Sequence, residues 1–179
     1  MDDPLRRDVL VHRGIFLLVV LVLLFFRLLP SGGAIARLPG PDLLLCLTLT
    51  WVLRRPDYLP ALLIAAVFFV EDLLLMRPPG LWTAVVLLGT EILRSRIALT
   101  RELSFALEWL FIGLLMVAMF LAYHMAHVLT LLPQPGFGYG MAQVLASILV
   151  YPGEVWLSYV TLGVHKPGMG EVDKMGRRL

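Results

Sequence analysis

The sequence predicts an all-helical integral membrane protein, a compact bundle of six transmembrane helices, with five as the lower count. Three observations lead there. Of the 179 residues, 59% are hydrophobic and 16% charged, with a mean hydropathy of +0.86, whereas soluble domains are about 45–50% apolar and about 25% charged. The apolar residues gather into runs near the roughly 20 helical residues that a bilayer core about 30 Å thick requires. The basic residues between those runs fall mostly on one side of the alternating pattern. The same apolarity excludes a disordered chain. A net charge of +2 gives no electrostatic reason to propose nucleic acid as a partner. The single cysteine, Cys46, lies in an apolar run and has no second thiol to pair with.

The first span is expected over 14–29, GIFLLVVLVLLFFRLL, interrupted only by Arg27 and stopped by Pro30, Ser31, Gly32 and Gly33. A short second span, 41–53, opens with Pro41 and Asp42. Proline suits a first helical turn, and a carboxylate favours the positive end of the helix dipole. Arg54, Arg55 and Pro56 end it. The third span covers 58–76 and the fourth 80–94, with Pro78 and Pro79 between them. Residues 109–153 contain no Asp, Glu, Lys or Arg, too long a stretch for one helix. The break PQPGFGYG divides it into a fifth span over 104–132 and a sixth over 139–165. Together 1–165 form one transmembrane domain, and the polar, Gly-rich 166–179 reads as a cytoplasmic tail.

With six spans, twelve basic residues share one side, among them Arg13, Arg54 and Arg94, and three, Arg27, Arg37 and Arg77, face the other. That bias predicts a multi-pass membrane protein with both termini cytoplasmic. Trp51, Tyr58, Trp82 and Trp109 fall near span ends, where interfacial aromatics are expected. Arg6, Arg7, Arg13 and Ala34-Ile35-Ala36 bear some likeness to a cleavable signal, but the apolar run is long for one and further spans follow.

Small residues spaced by four, Ala118, Ala122, Ala126 and Thr130 on the fifth span and Gly138, Ala142 and Ala146 on the sixth, predict two opposed packing faces. That register would bring His127 to Gln143 and His124 to Ser147. Of the ionisable residues within spans, Arg27 is expected to snorkel outward, Asp42 to cap a helix, and Glu91 to sit by Arg94. Glu71 and Asp72 read either as membrane-edge charges or as functional groups. Glu154, beside Pro152 and Gly153 in YPGEVW, reads as part of a kink or as an interaction site. His124 and His127 lack a nearby carboxylate to complete a metal set, and no nucleotide, zinc-peptidase or nucleophile-elbow motif occurs. No enzyme activity and no cofactor are expected.

At residues 41–80, PDLLLCLTLTWVLRRPDYLPALLIAAVFFVEDLLLMRPPG, the chain resembles the MreD family of bacterial rod shape-determining proteins. The matching positions are Pro41, Asp42, Trp51, Pro56, Asp72 and Gly80, with Pro152 in the last helix; RPPG departs from the family's glycines at that turn. The resemblance implies a fold similar to the S subunits of energy-coupling vitamin transporters. It further implies a non-enzymatic scaffold or regulator that pairs with MreC, and through it with MreB and the RodA–penicillin-binding-protein synthase. The partner face is expected among spans two to four, with Pro41, Asp42, Trp51, Pro56, Glu71, Asp72, Gly80, Pro152 and Glu154 as candidate motif or interface residues. The alternative is a substrate-binding subunit of a small-molecule transporter, against which the outer loops weigh, offering few hydrogen-bonding groups. A membrane enzyme using Glu71, Asp72 or Glu154 ranks third.

Overall fold

The computed structural model describes residues 4–29, 39–97, 103–131 and 136–162. The expectations on Pro30, Ser31, Gly32, Gly33, Ala34-Ile35-Ala36, Arg37, residues 133–135 of the PQPGFGYG break and the tail lie outside these residues. The described residues form six helices: α1 (Pro4–Leu28), α2 (Leu43–Arg54), α3 (Ala61–Leu74), α4 (Leu81–Ser95), α5 (Phe105–Thr130) and α6 (Phe137–Leu162). No strand occurs among the described residues. Three helices, α1, α5 and α6, are long and apolar enough to cross a membrane. The other three have 12, 14 and 15 residues.

The short α2 is the centre of the bundle, with 11 of its 12 residues buried. It packs against α1, α4 and α6, while α3 packs on α4, and α5 lies between α4 and α6. Its start is fixed by Asp42, whose Oδ1 accepts the Leu45 N–H at 3.2 Å, satisfying one of the unpaired amides of a first turn. Trp51 is fully enclosed, its ring 5.5 Å from that of Phe16 and 6.2 Å from that of Tyr58. Pro56 sits in the turn that follows, where Leu59 N–H donates to its carbonyl at 3.3 Å. The α3–α4 connection needs left-handed backbone at Met76 (φ 52°) and at Gly80 (φ 83°), and only glycine takes the second without a Cβ penalty.

Helix α1 starts about ten residues before the expected first span. Its polar first turns stay helical because they dock on the α2–α3 turn. Arg13 donates to the carbonyls of Tyr58 at 3.2 Å and Asp57 at 3.1 Å, and the His12 ring stacks on Tyr58 at 4.4 Å.

One packing expectation fails. Ala118, Ala122, Gly138 and Ala142 are exposed, so the alanine stripes do not face each other. The α5–α6 contact uses other residues, with the Phe120 ring over Gly140 so closely that a Cβ there would collide, and Gly113 against Ile148. Trp51, Tyr58 and Trp82 are buried within the bundle. Their rings fill the core between helices, where large aromatic surface is removed from solvent.

Candidate functional site

Charged residues gather at the two ends of the bundle. At one end Arg27 Nη1 lies 2.5 Å from Glu71 Oε1 and 3.3 Å from Asp42 Oδ1. Arg77 stands 3.8 Å from the same Glu71 oxygen and 5.9 Å from the centre of the Trp82 ring. Arg27 therefore does not snorkel outward. A buried carboxylate without a counter-ion is expensive, and Glu71 is fully buried, so the guanidinium turns inward to it. Glu71 and Asp72 are both buried within the protein. Asp72 Oδ2 accepts the N–H of Gly80 at 3.1 Å, the N–H of Thr83 at 3.2 Å and the Thr83 hydroxyl at 2.9 Å. One carboxylate on α3 thus caps α4. Glu71 Oε2 and Asp72 Oδ1 are enclosed without a hydrogen-bond partner among the described residues.

Helix α6 joins this end through Ser147. Its Oγ accepts the Asp42 N–H at 2.8 Å and donates to the Gln143 carbonyl at 2.9 Å. The Cys46 thiol donates to the Ser147 carbonyl at 3.4 Å. The expected histidine pairings are absent. His127 Nδ1 faces the Tyr123 carbonyl of its own helix at 3.0 Å, and the His124 ring packs against Phe120 and Phe137. Among the described residues, no three His, Cys, Asp or Glu side chains converge as a metal set would.

At the opposite end, buried Arg54 pairs with buried Glu108 at 2.8 Å, and the Tyr151 hydroxyl approaches the same oxygen at 3.5 Å. Arg94 donates to the Leu59 carbonyl and pairs with Glu91 at 3.3 Å, the latter as expected. The sequence marks Arg54 as a helix stop and as one of the basic residues on the inner side, not as a member of a buried pair. The available signal was a basic residue closing one apolar run and an acidic residue opening another on the same side. The structure thus places Arg27 and Arg77 at one end, and Arg13, Arg54 and Arg94 at the other.

A cavity of about 880 Å³ opens at the Arg27 end. Its polar wall comes from helix ends, including Arg27, Asp42, Tyr123, His127 and Gln143. The expectation that few hydrogen-bonding groups converge on this side counted loops, and the helix ends supply them instead.

Of the nine candidate residues, Pro41, Asp42, Glu71, Asp72 and Gly80 come together at this end. Trp51 and Pro56 belong to the core and to the opposite turn. Pro152 and Glu154 lie on α6 past Ser147, and Glu154 is half-buried with no hydrogen-bond partner among the described residues. Three buried carboxylates each hold a cation or a helix start, an arrangement that fixes helices relative to one another. No family model matches this chain, and neither a curated protein nor a solved structure does.

Proposed function

We propose that this chain is a non-enzymatic scaffold or regulator of the bacterial cell-elongation machinery, of the MreD type. It pairs with MreC, and through it with MreB and the RodA–penicillin-binding-protein synthase, to support lateral peptidoglycan synthesis and rod shape. It crosses the cytoplasmic membrane six times with both termini inside. The short α2 needs no match to bilayer thickness in this reading. Twelve residues rise only about 18 Å, but α1, α4 and α6 pack around α2.

The observation that carries this reading is the interlocking of residues 41–80, the segment that resembles the family. Asp42 and Asp72 start α2 and α4, Glu71 takes Arg27, and Gly80 turns the chain between α3 and α4. Of the expected partner face on spans two to four, α2 is interior, so the outward surface of this segment belongs largely to α3. Leu62, Ala66, Phe69, Val70 and Leu73 form one apolar stripe at helical spacing, all exposed. This stripe receives the single transmembrane helix of MreC.

Co-purification from membranes with tagged MreC tests the pairing, and retention through detergent washing is expected. Loss of MreC together with saturable binding of a vitamin-sized ligand would favour the second reading, a transporter substrate-binding subunit. That reading draws on the cavity of about 880 Å³, a size that accommodates small molecules.

A further inference from the structure

The cavity beside Arg27 carries more hydrogen-bonding capacity than the chain uses. His127, 3% exposed, engages only Nδ1, with a carbonyl of its own helix. Neither the Tyr123 hydroxyl nor the Gln143 side chain has a hydrogen-bond partner among the described residues, and both residues line the cavity. Arg77 also lines it, and the carboxylate oxygen 3.8 Å from it is already taken by Arg27 at 2.5 Å. Three helix starts point to the same region, and each carries partial positive charge. Asp42 answers that of α2 and Asp72 that of α4, but the first turn of α6 holds no acidic residue, and Tyr139 and Gly140 bring it to the cavity wall. Much of the remaining wall is apolar, including Leu23 and Leu24 of α1, Met116 of α5 and Val144 of α6.

We propose that this cavity binds an anionic amphiphile. Its phosphate or carboxylate head takes Arg77, Tyr123 and the open start of α6, and its chain lies against Leu23, Leu24 and Val144. The proposal rests on the membrane reading above, because such a ligand enters from the lipid. It does not depend on MreC.

The test uses the full chain, purified in detergent and washed free of lipid. It is titrated with short-chain phosphatidylglycerol, with phosphatidylcholine of the same tails, and with inorganic phosphate, and bound ligand is read by native mass spectrometry. One phosphatidylglycerol per chain is expected, held at least tenfold more tightly than phosphatidylcholine, with inorganic phosphate not retained. Arg77→Gln should weaken it fivefold or more, Arg77→Lys should recover most of that loss, and Val144→Trp should abolish it by filling the apolar wall. Thermal melting reports whether each variant is folded, and where a variant is not, the headgroup comparison on the unaltered protein decides. Equal retention of the two lipids, or phosphate bound as tightly as the lipid, would overturn the proposal. So would unchanged affinity in folded Arg77→Gln and Val144→Trp.

Discussion

Trp109 on α5 donates its indole N–H to the carbonyl of Ile148 on α6 at 2.7 Å. Ile148 lies four residues before Pro152, the proline inside α6. A proline has no N–H to give to the carbonyl one turn back, so that carbonyl needs another donor, the more so where water is absent. The bond to Trp109 fills this place and fastens α5 to α6 at the break. Trp109→Phe should therefore cost about 1–2 kcal/mol of stability. In a Pro152→Ala background the helix regains its own donor, and the same change should cost clearly less. Denaturation in detergent of the two single variants and the double variant measures that coupling, and an additive result would contradict it.

Arg27 and Glu71 form a second coupled pair. Removing one member of a buried ion pair leaves an uncompensated charge, which typically costs about 3–5 kcal/mol. Arg27→Met is expected toward the lower end of that range, since it leaves Asp42 without its cation and Glu71 with only Arg77, 3.8 Å away. Glu71→Gln added to Arg27→Met should recover part of the loss. Stability of the three variants in mild detergent, read from the unfolding midpoint, distinguishes this from a merely exposed pair worth about 0–1 kcal/mol.

Asp72 accepts three hydrogen bonds from the first turn of α4. Asp72→Ala should lower stability by about 1–2 kcal/mol, the usual range for a lost helix cap, and Asp72→Asn by less because one acceptor oxygen remains. Hydrogen exchange at Gly80 and Thr83 is the local readout, and it should speed up in Asp72→Ala before the rest of α4 changes.

The α5–α6 interface is tested by two neighbouring small residues. Gly140 lies under the Phe120 ring, whereas Ala142 is exposed. Gly140→Val should cost about 1–3 kcal/mol through overpacking, and Ala142→Val should stay within about 0.5 kcal/mol. Melting of the detergent-purified variants checks both. The reverse order would restore the alanine stripe as the contact face.

How much of this was legible in the sequence depends on the range of the interaction. Helix limits set by local chemistry were readable, as at Asp42 for α2, at Pro78 and Pro79 before α4, and at the charge-free stretch that became α5 and α6. The start of α1 was not, because its polar turns are held by Tyr58 and Asp57, more than 40 positions away in the chain. The same distance hid the pairing of Arg27 with Glu71, and of Arg54 with Glu108. The small-residue pattern misled for a different reason. Alanine on the outward face of an apolar helix costs nothing, so its spacing alone does not mark a contact. Pro152 was visible as a break, but the donor that answers it sits on another helix, at a position where tryptophan read as an interfacial anchor.

The proposed pairing with MreC through α3 is tested most directly by site-specific photocrosslinking in living cells. A photoreactive phenylalanine replaces Phe69 or Leu73, both exposed on the α3 stripe, or Leu149, exposed on α6. The account predicts a covalent adduct with MreC from positions 69 and 73 and little or none from 149. No adduct from the α3 positions, in cells where the variants are inserted and MreC is present, would contradict it.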